Sequence, residues 1–284
     1  MNPSILVLAN LSEAAAQAAR YAAVLGAPIR THLALLNLYH DAVLDPELVT
    51  VTTAHAYRNQ AETAAALRAL ARSLPAPAEV TVSSDSLLDA VQAAVRRHQP
   101  LLLAMGLSTE HDWLDGVLLN QALPVLQATH RPLLLVPETA GAPAHLPRRV
   151  LIAADAEPFK LNAASHCLAA LFEAWQAAYT VAHITSPQEL RSFPGHLLLR
   201  AARTHWLLPA TAPLALYAQP AASPAAGLLR ALEDTQADLL VLVTRPRSFL
   251  GQLFHHSVTA QVLRRSRVPV LLLPSEAPPH ANWW

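Results

Sequence analysis

The sequence predicts an α/β protein built as two tandem open doubly wound domains, each with a five-stranded parallel sheet flanked by helices. Three observations carry this: short continuous apolar runs, alanine-rich helical stretches between them, and recurrence of the whole order in the second half of the chain.

The runs come first. "SILVLAN" at 4–10, "HLALLNLY" at 32–39, "PLLLAMG" at 100–106 and "PLLLVP" at 132–137 are apolar almost throughout instead of alternating. A strand wetted on one face alternates, whereas one covered on both faces does not, so these read as parallel strands between two helical layers. Between the runs, Ser12 to Leu25 places Ala15, Ala18, Ala19 and Ala22 on one stripe, and further helices are read from Asp45 to Leu74 and from Ser86 to His98. The resulting order, β-α-β-α-β-α-β-α-β, is that of a doubly wound sheet.

The order then returns. "RVLIAADAEP" at 149–158 matches the opening strand, and "ADLLVLVT" at 237–244 matches "PLLLAMGL" at 100–107. Pro132 and Pro269, Pro137 and Pro274, and Gln99 and Gln236 are each 137 positions apart, an ungapped repeat. "ETAGAPAHLPRR" at 138–149 reads as the linker, giving domains at 1–139 and 148–276. In the second half Pro194 and Gly195 shorten or break the second helix, and "PLALYAQ" at 213–219 follows as the third strand.

Composition narrows the function classes. Twenty basic against twenty acidic residues give zero formal charge, so no overall field draws the chain to nucleic acid or an anionic membrane. Arg264, Arg265 and Arg267 form a local basic cluster, read as cations complementing the end of the last helix. No apolar run approaches the roughly 18 residues of a membrane span, and "MNPSILVLANLSE" has no basic segment before its apolar stretch, so a cytoplasmic protein is expected. Cys167 is the only cysteine and, within "NAASHCLAALFEAW", is read as a small core residue. The terminal pair Trp283 and Trp284 reads as a tail that docks on the body or a partner.

The terminal "HSVTAQVLRRSRVPVLLLP" resembles the universal stress protein family: small polar residues open a helix, the helix ends basic, and Val-Pro precedes a final apolar strand. The resemblance extends over nearly the whole chain, since that family's domains are often duplicated. ATP-binding members are similar in carrying Gly, two residues, Gly, nine residues, Gly and Ser/Thr after the fourth strand, where glycine lets backbone amides approach phosphate.

Counted back from Ser257, those glycine positions hold Val243, Pro246 and His256; in the first half they hold Gly106, Thr109 and Leu119, followed by Asn120. Pro246 has no amide hydrogen to donate and His256 fills the space a phosphate would need. The acidic residue that the family carries after its first strand is matched by Asp155, with Asn10 in its place in the first half.

The resemblance therefore implies a stress-response regulatory or interaction module without strong ATP binding. The alternative is a nucleotide-binding or slowly ATP-hydrolysing protein that uses a modified second-half loop of Asp155, Arg245, Ser257 and Thr259. The crevice residues to watch are these four with Asn10, Gly106 and Asn120. The final strands, "RPLLLVP" and "VPVLLLP", resemble the family's dimerising edge, which implies a pseudo-dimer within the chain or a homodimer, with a further protein partner as the module's target.

Other chemistry is poorly supported. His255 and His256 are adjacent, so on a helix they point about 100° apart and cannot clasp one metal from one face. His111, Asp112 and Asp115 offer oxygen and nitrogen donors but read as solvated loop side chains. Ser257 has no nucleophile elbow around it and reads as a helix N-cap. No catalytic set emerges, so the sequence leans away from an enzyme.

Overall fold

The computed structural model describes residues 3–39, 49–108, 121–143, 145–154, 159–185, 194–245 and 257–276. In the first half the strands are β1 (Ser4–Leu8), β2 (His32–Leu38), β3 (Ala78–Ser83), β4 (Leu102–Leu107) and β5 (Leu133–Pro137). Helices α1 (Glu13–Gly26), α2 (Val49–Ser73), α3 (Leu87–His98) and α4 (Leu123–Thr129) connect them. The second half repeats the scheme with β6 (Arg149–Ala153), β7 (Lys160–Leu161), β8 (Ala178–Thr185), β9 (Leu214–Pro220), β10 (Leu239–Thr244) and β11 (Val270–Glu276). Its helices are α5 (Ala163–His166), α6 (Ala169–Trp175), α7 (Gly195–His205), α8 (Pro224–Thr235) and α9 (Val258–Leu263).

All the strands but β7 lie along one path, β3-β2-β1-β4-β5-β11-β10-β6-β8-β9. Every pairing within a half along this path is parallel, so each half is the five-stranded doubly wound sheet that the sequence predicts. The added strand β7 pairs antiparallel with the end of β11.

Both faces of the sheet are covered, which is why the runs are continuous. Ile5, Val7, Val150 and Ile152 pack into one layer, and Leu6, Leu103, Leu151 and Leu240 into the other. On the first face, Ala18, Ala19, Ala22 and Ala23 of α1 are fully buried, small side chains that let the helix axis lie close to the strands.

The halves meet through β5 and β11, which pair antiparallel: Val270 opposite Leu135, Leu271 opposite Leu134 and Leu272 opposite Leu133. The repeat maps Leu134 onto Leu271, and these two residues face each other. A local two-fold axis therefore passes through that pair, and each edge strand protects the other's backbone groups. Across the same junction the indole Nε1 of Trp175 donates to the carbonyl of Leu25 at 3.1 Å, both buried.

One expectation changes. Cys167, read as a small core residue, is exposed, standing at the break between α5 and α6 with its thiol 3.4 Å from the carbonyl of Ala163; the break turns the residue out. In the stretch that matches the opening strand, β6 ends at Ala153, and residues 155–158 lie outside the described ones. The last helix ends at Leu263, with Arg264 as its cap. Among the described residues, no helix is long and apolar enough to cross a membrane.

Candidate functional site

In the first half, β1 leads outward to β2 and β3 on one side while β4 and β5 continue on the other, so the sheet order reverses between β1 and β4. Helices diverge above such a point and leave a crevice at the carboxyl ends of the strands. A cavity of about 430 Å³ lies there, walled by the ends of β1, β2 and β4 and the first turns of α1 and α3. Its apolar surface comes from Leu8, Leu36, Leu38, Leu87 and Met105, and its polar groups from Asn10, Ser12, Asn37, Ser108 and Gln121. None of the described residues that line it is charged.

Two expected crevice residues are brought together here, Asn10 and Gly106. The Asn10 carboxamide oxygen accepts from the backbone N–H of Ser12 at 3.0 Å and from the Ser12 hydroxyl. That hydroxyl in turn accepts from the N–H of Ala15 at 3.2 Å, capping α1. Asn10 thus builds the turn by which the chain leaves β1 and enters the helix beneath the cavity.

Gly106 has a packing role. A Cβ there would lie 2.2 Å from the carbonyl carbon and oxygen of Ala14 and 2.6 Å from the nitrogen of Ala15. The glycine lets β4 touch the first turn of α1 backbone to backbone. Its register partner is Val136; in the second half Val243, paired with Leu273, takes the equivalent place. Val243 is partly buried against the core.

Asn37 is the residue that the family pattern missed. It is 5% exposed, lines the cavity, and its amide nitrogen donates to the carbonyl of Ala9 at 2.8 Å. Its amide oxygen is buried without a hydrogen-bond partner. Turning the amide over would set oxygen against the Ala9 carbonyl, so the orientation is fixed by its one partner. In the sequence it is a polar residue inside the apolar run of β2, one position before Leu38 ends the strand.

The remaining second-half residues are less assembled. Ser257 caps α9, its hydroxyl accepting from the N–H of Ala260 at 3.1 Å, as the capping reading expects. Thr259 lies in the first turn of that helix and Arg245 directly follows β10. Asp155 and Asn120 lie outside the described residues, as do Thr109, Leu119, Pro246, His255, His256, the His111–Asp112–Asp115 cluster and the two terminal tryptophans. Among the described residues, no group of three or more His, Cys, Asp or Glu side chains is placed to hold a metal.

A second cavity, of about 180 Å³, sits where the linker crosses the junction of the halves, between Tyr21, His145 and Asp238. Asp238 accepts from the backbone N–H groups of Arg148 and Arg149 at 2.9 and 3.2 Å, fastening the linker to the second half. Burial, aided by the Asp238 charge, raises the pKa of the Tyr21 hydroxyl, which donates to the carbonyl of Ala140 at 3.2 Å.

Residues 221–274, from the end of β9 to β11, match the family model described as the universal stress protein family. That segment is similar to universal stress protein sequence. The universal stress protein fold extends over the whole chain: a universal stress protein from Archaeoglobus fulgidus DSM 4304 is similar at 16% identity, over 97% of each chain, with a TM-score of 0.61. A functionally unknown protein from Pseudomonas aeruginosa PAO1 is similar at 16% identity, over 96% of this chain and 92% of that one, with a TM-score of 0.53. A universal stress protein solved in complex with cAMP matches 46% of this chain and 99% of its own at 22% identity, with a TM-score of 0.35. No curated relative matches the chain.

Proposed function

We propose that the chain is a tandem universal stress protein, with units at 1–139 and 148–276, that works in the cytoplasm as a stress-response regulatory or interaction module and does not bind ATP strongly. The observation that carries this reading is the first-half crevice, a cavity of about 430 Å³ at the switch point with no charged side chain among its described lining residues. A triphosphate needs cations or a row of converging backbone amides. Gly106, the one glycine left of the phosphate-loop pattern, is occupied in helix packing. The apposition of β5 and β11 supports an internal pseudo-dimer that presents one joined surface to a protein partner.

Isothermal titration of the full chain with ATP and magnesium tests the reading. No heat of binding is expected at high micromolar protein. Tight ATP binding, or adenine nucleotide released on denaturing the purified protein, overturns it in favour of a nucleotide-binding protein. In that case loss of the nucleotide on Asp155→Ala would place the pocket in the second half.

A further inference from the structure

We propose that β9 is a homodimer interface, pairing antiparallel with β9 of a second copy so that the sheet runs on through both molecules. The strands that the family resemblance implies for dimerisation, β5 and β11, are joined inside the chain, which leaves β3 and β9 as the outer edges of the sheet.

The bonds of β9 show which of its groups are left over. The N–H of Tyr179 donates to the Pro213 carbonyl, and that of Ala221 to the Thr185 carbonyl. In a parallel pair every second residue of a strand bonds to its neighbour, so Pro213, Ala215, Tyr217 and Gln219 turn their backbone groups toward β8. Leu214, Leu216 and Ala218 turn theirs outward, where no described strand meets them.

Such an edge recruits another strand unless it is short, charged or interrupted by proline. β3 is guarded, since its Glu79 is exposed and ion-paired with Arg97. Leu33 and Tyr179 hold equivalent places beside Ile5 and Val150 and pair in turn with Ala78 and Leu214, so Ala215 stands where β3 has Glu79. β9 runs for seven residues, LALYAQP, without a charge, and its proline comes only at the end.

A second copy fits this edge without conflict. With Leu216 opposite its own counterpart, Leu214 of either copy falls opposite Ala218 of the other, and about six backbone hydrogen bonds satisfy the outward groups. No like charges are brought together, and the partly buried Leu214 and Leu216 gain cover. Because α7 and α8 both pack on β9, the helical layers continue across the contact with the sheet. The β5–β11 junction is already an antiparallel joining of two equivalent units by their edges, and β9 extends the same device to two chains.

Sedimentation equilibrium of the full chain reads the association, and amide hydrogen exchange reads its place. A dimer that dissociates on dilution is expected, with the amides of Leu214, Leu216 and Ala218 protected about tenfold or more over the monomer. Ala215→Glu copies the guard of β3 at an exposed position, and Ala218→Pro removes an outward N–H without touching a bond to β8. Each is expected to raise the dissociation constant about tenfold or more, whereas Thr81→Lys on β3 leaves it unchanged. Ala215→Glu keeps the test usable if Ala218→Pro does not fold.

A chain that stays monomeric at high micromolar concentration, leaving the edge to a foreign strand or to none, overturns the proposal. So does a dimer that neither β9 substitution weakens, because it is held elsewhere. None of these outcomes bears on nucleotide binding, which the ATP titration tests separately.

Discussion

Asn37 and His183 occupy the same place in the two halves and grip equivalent backbone carbonyls, those of Ala9 and Ala154. Leu36 pairs with Leu8 and Ala182 with Ala153, so the residue after each stands level with the carbonyl that follows the first strand. Asn37 donates from its amide to the Ala9 carbonyl at 2.8 Å, and His183 meets the Ala154 carbonyl through Nδ1 at 3.2 Å, which requires that nitrogen to carry the proton. The two side chains tie the mouth of each sheet across its first two strands.

Removing that tie is expected to cost about 1 kcal/mol in either half, the net worth of a buried hydrogen bond. Asn37→Ala and His183→Ala should therefore lower the urea midpoint by comparable amounts. Asn37→His carries the second half's solution into the first; it keeps a donor for Ala9 and is expected to recover at least half of the loss. A midpoint for Asn37→His below that of Asn37→Ala would mean that the two sites are not equivalent.

Gly106→Ala is expected to destabilise the protein by about 1–3 kcal/mol, the usual penalty for forcing an extra methyl into a packed site. The methyl would meet the backbone of Ala14 and Ala15, and backbone at the start of a helix cannot swing aside like a side-chain end. Val243→Ala, at the equivalent register, meets no such contact and is expected to show only the ordinary loss of buried apolar atoms. Chemical denaturation of both variants checks the contrast, which would vanish if Gly106 served phosphate binding alone.

The physics of burial decides how much of this was legible. β1, β2, β4 and β5 were visible as apolar runs because helices cover both their faces. β3 carries "AEVTVS", lies at the sheet edge and is only partly buried, so no continuous run marked it. Gln99 and Gln236 showed the repeat without revealing its reason; each is a helix C-cap in the left-handed region, at φ 44° and 49°. In the site, Asn10 and Gly106 were found through the family pattern, but Asn10 hydrogen-bonds the residue that caps a helix and Gly106 packs against that helix's backbone. Asn37 was hidden because its importance depends on an oxygen without a partner, a property of the assembled cavity that spacing does not encode.

The antiparallel junction predicts a measurable coupling. Leu134 and Leu271 face each other in register and share one core layer, both essentially inaccessible. Leu134→Ala and Leu271→Ala are each expected to cost about 2–5 kcal/mol. Because the second truncation widens a cavity already opened by the first, the double variant is expected to depart from additivity by about 0.5–3 kcal/mol. Strict additivity in a double-mutant cycle would show that the halves are stabilised independently.

Alkaline pH should reach Tyr217 and Tyr179 late. Burial, its hydrogen bond to Asp234 and the charge of that carboxylate push the Tyr217 hydroxyl up to about 12 from 10.0; it donates to Oδ2 at 2.6 Å. Burial, aided by Glu173, also raises the pKa of Tyr179, whose hydroxyl donates to the Phe172 carbonyl at 3.0 Å. A raised folded-state value means that the folded chain holds its proton where the unfolded chain has lost it. The associated stability is thus fully present below pH 10 and is lost as pH rises toward 12, the window set by Tyr217. A spectroscopic titration of tyrosinate should therefore show Tyr217 ionising late in the native protein. Asp234→Asn removes the charge, leaving a weaker acceptor, and is expected to bring one tyrosine back toward its ordinary range while the fold persists. An unchanged titration would show that the Tyr217–Asp234 bond does not govern that proton in solution.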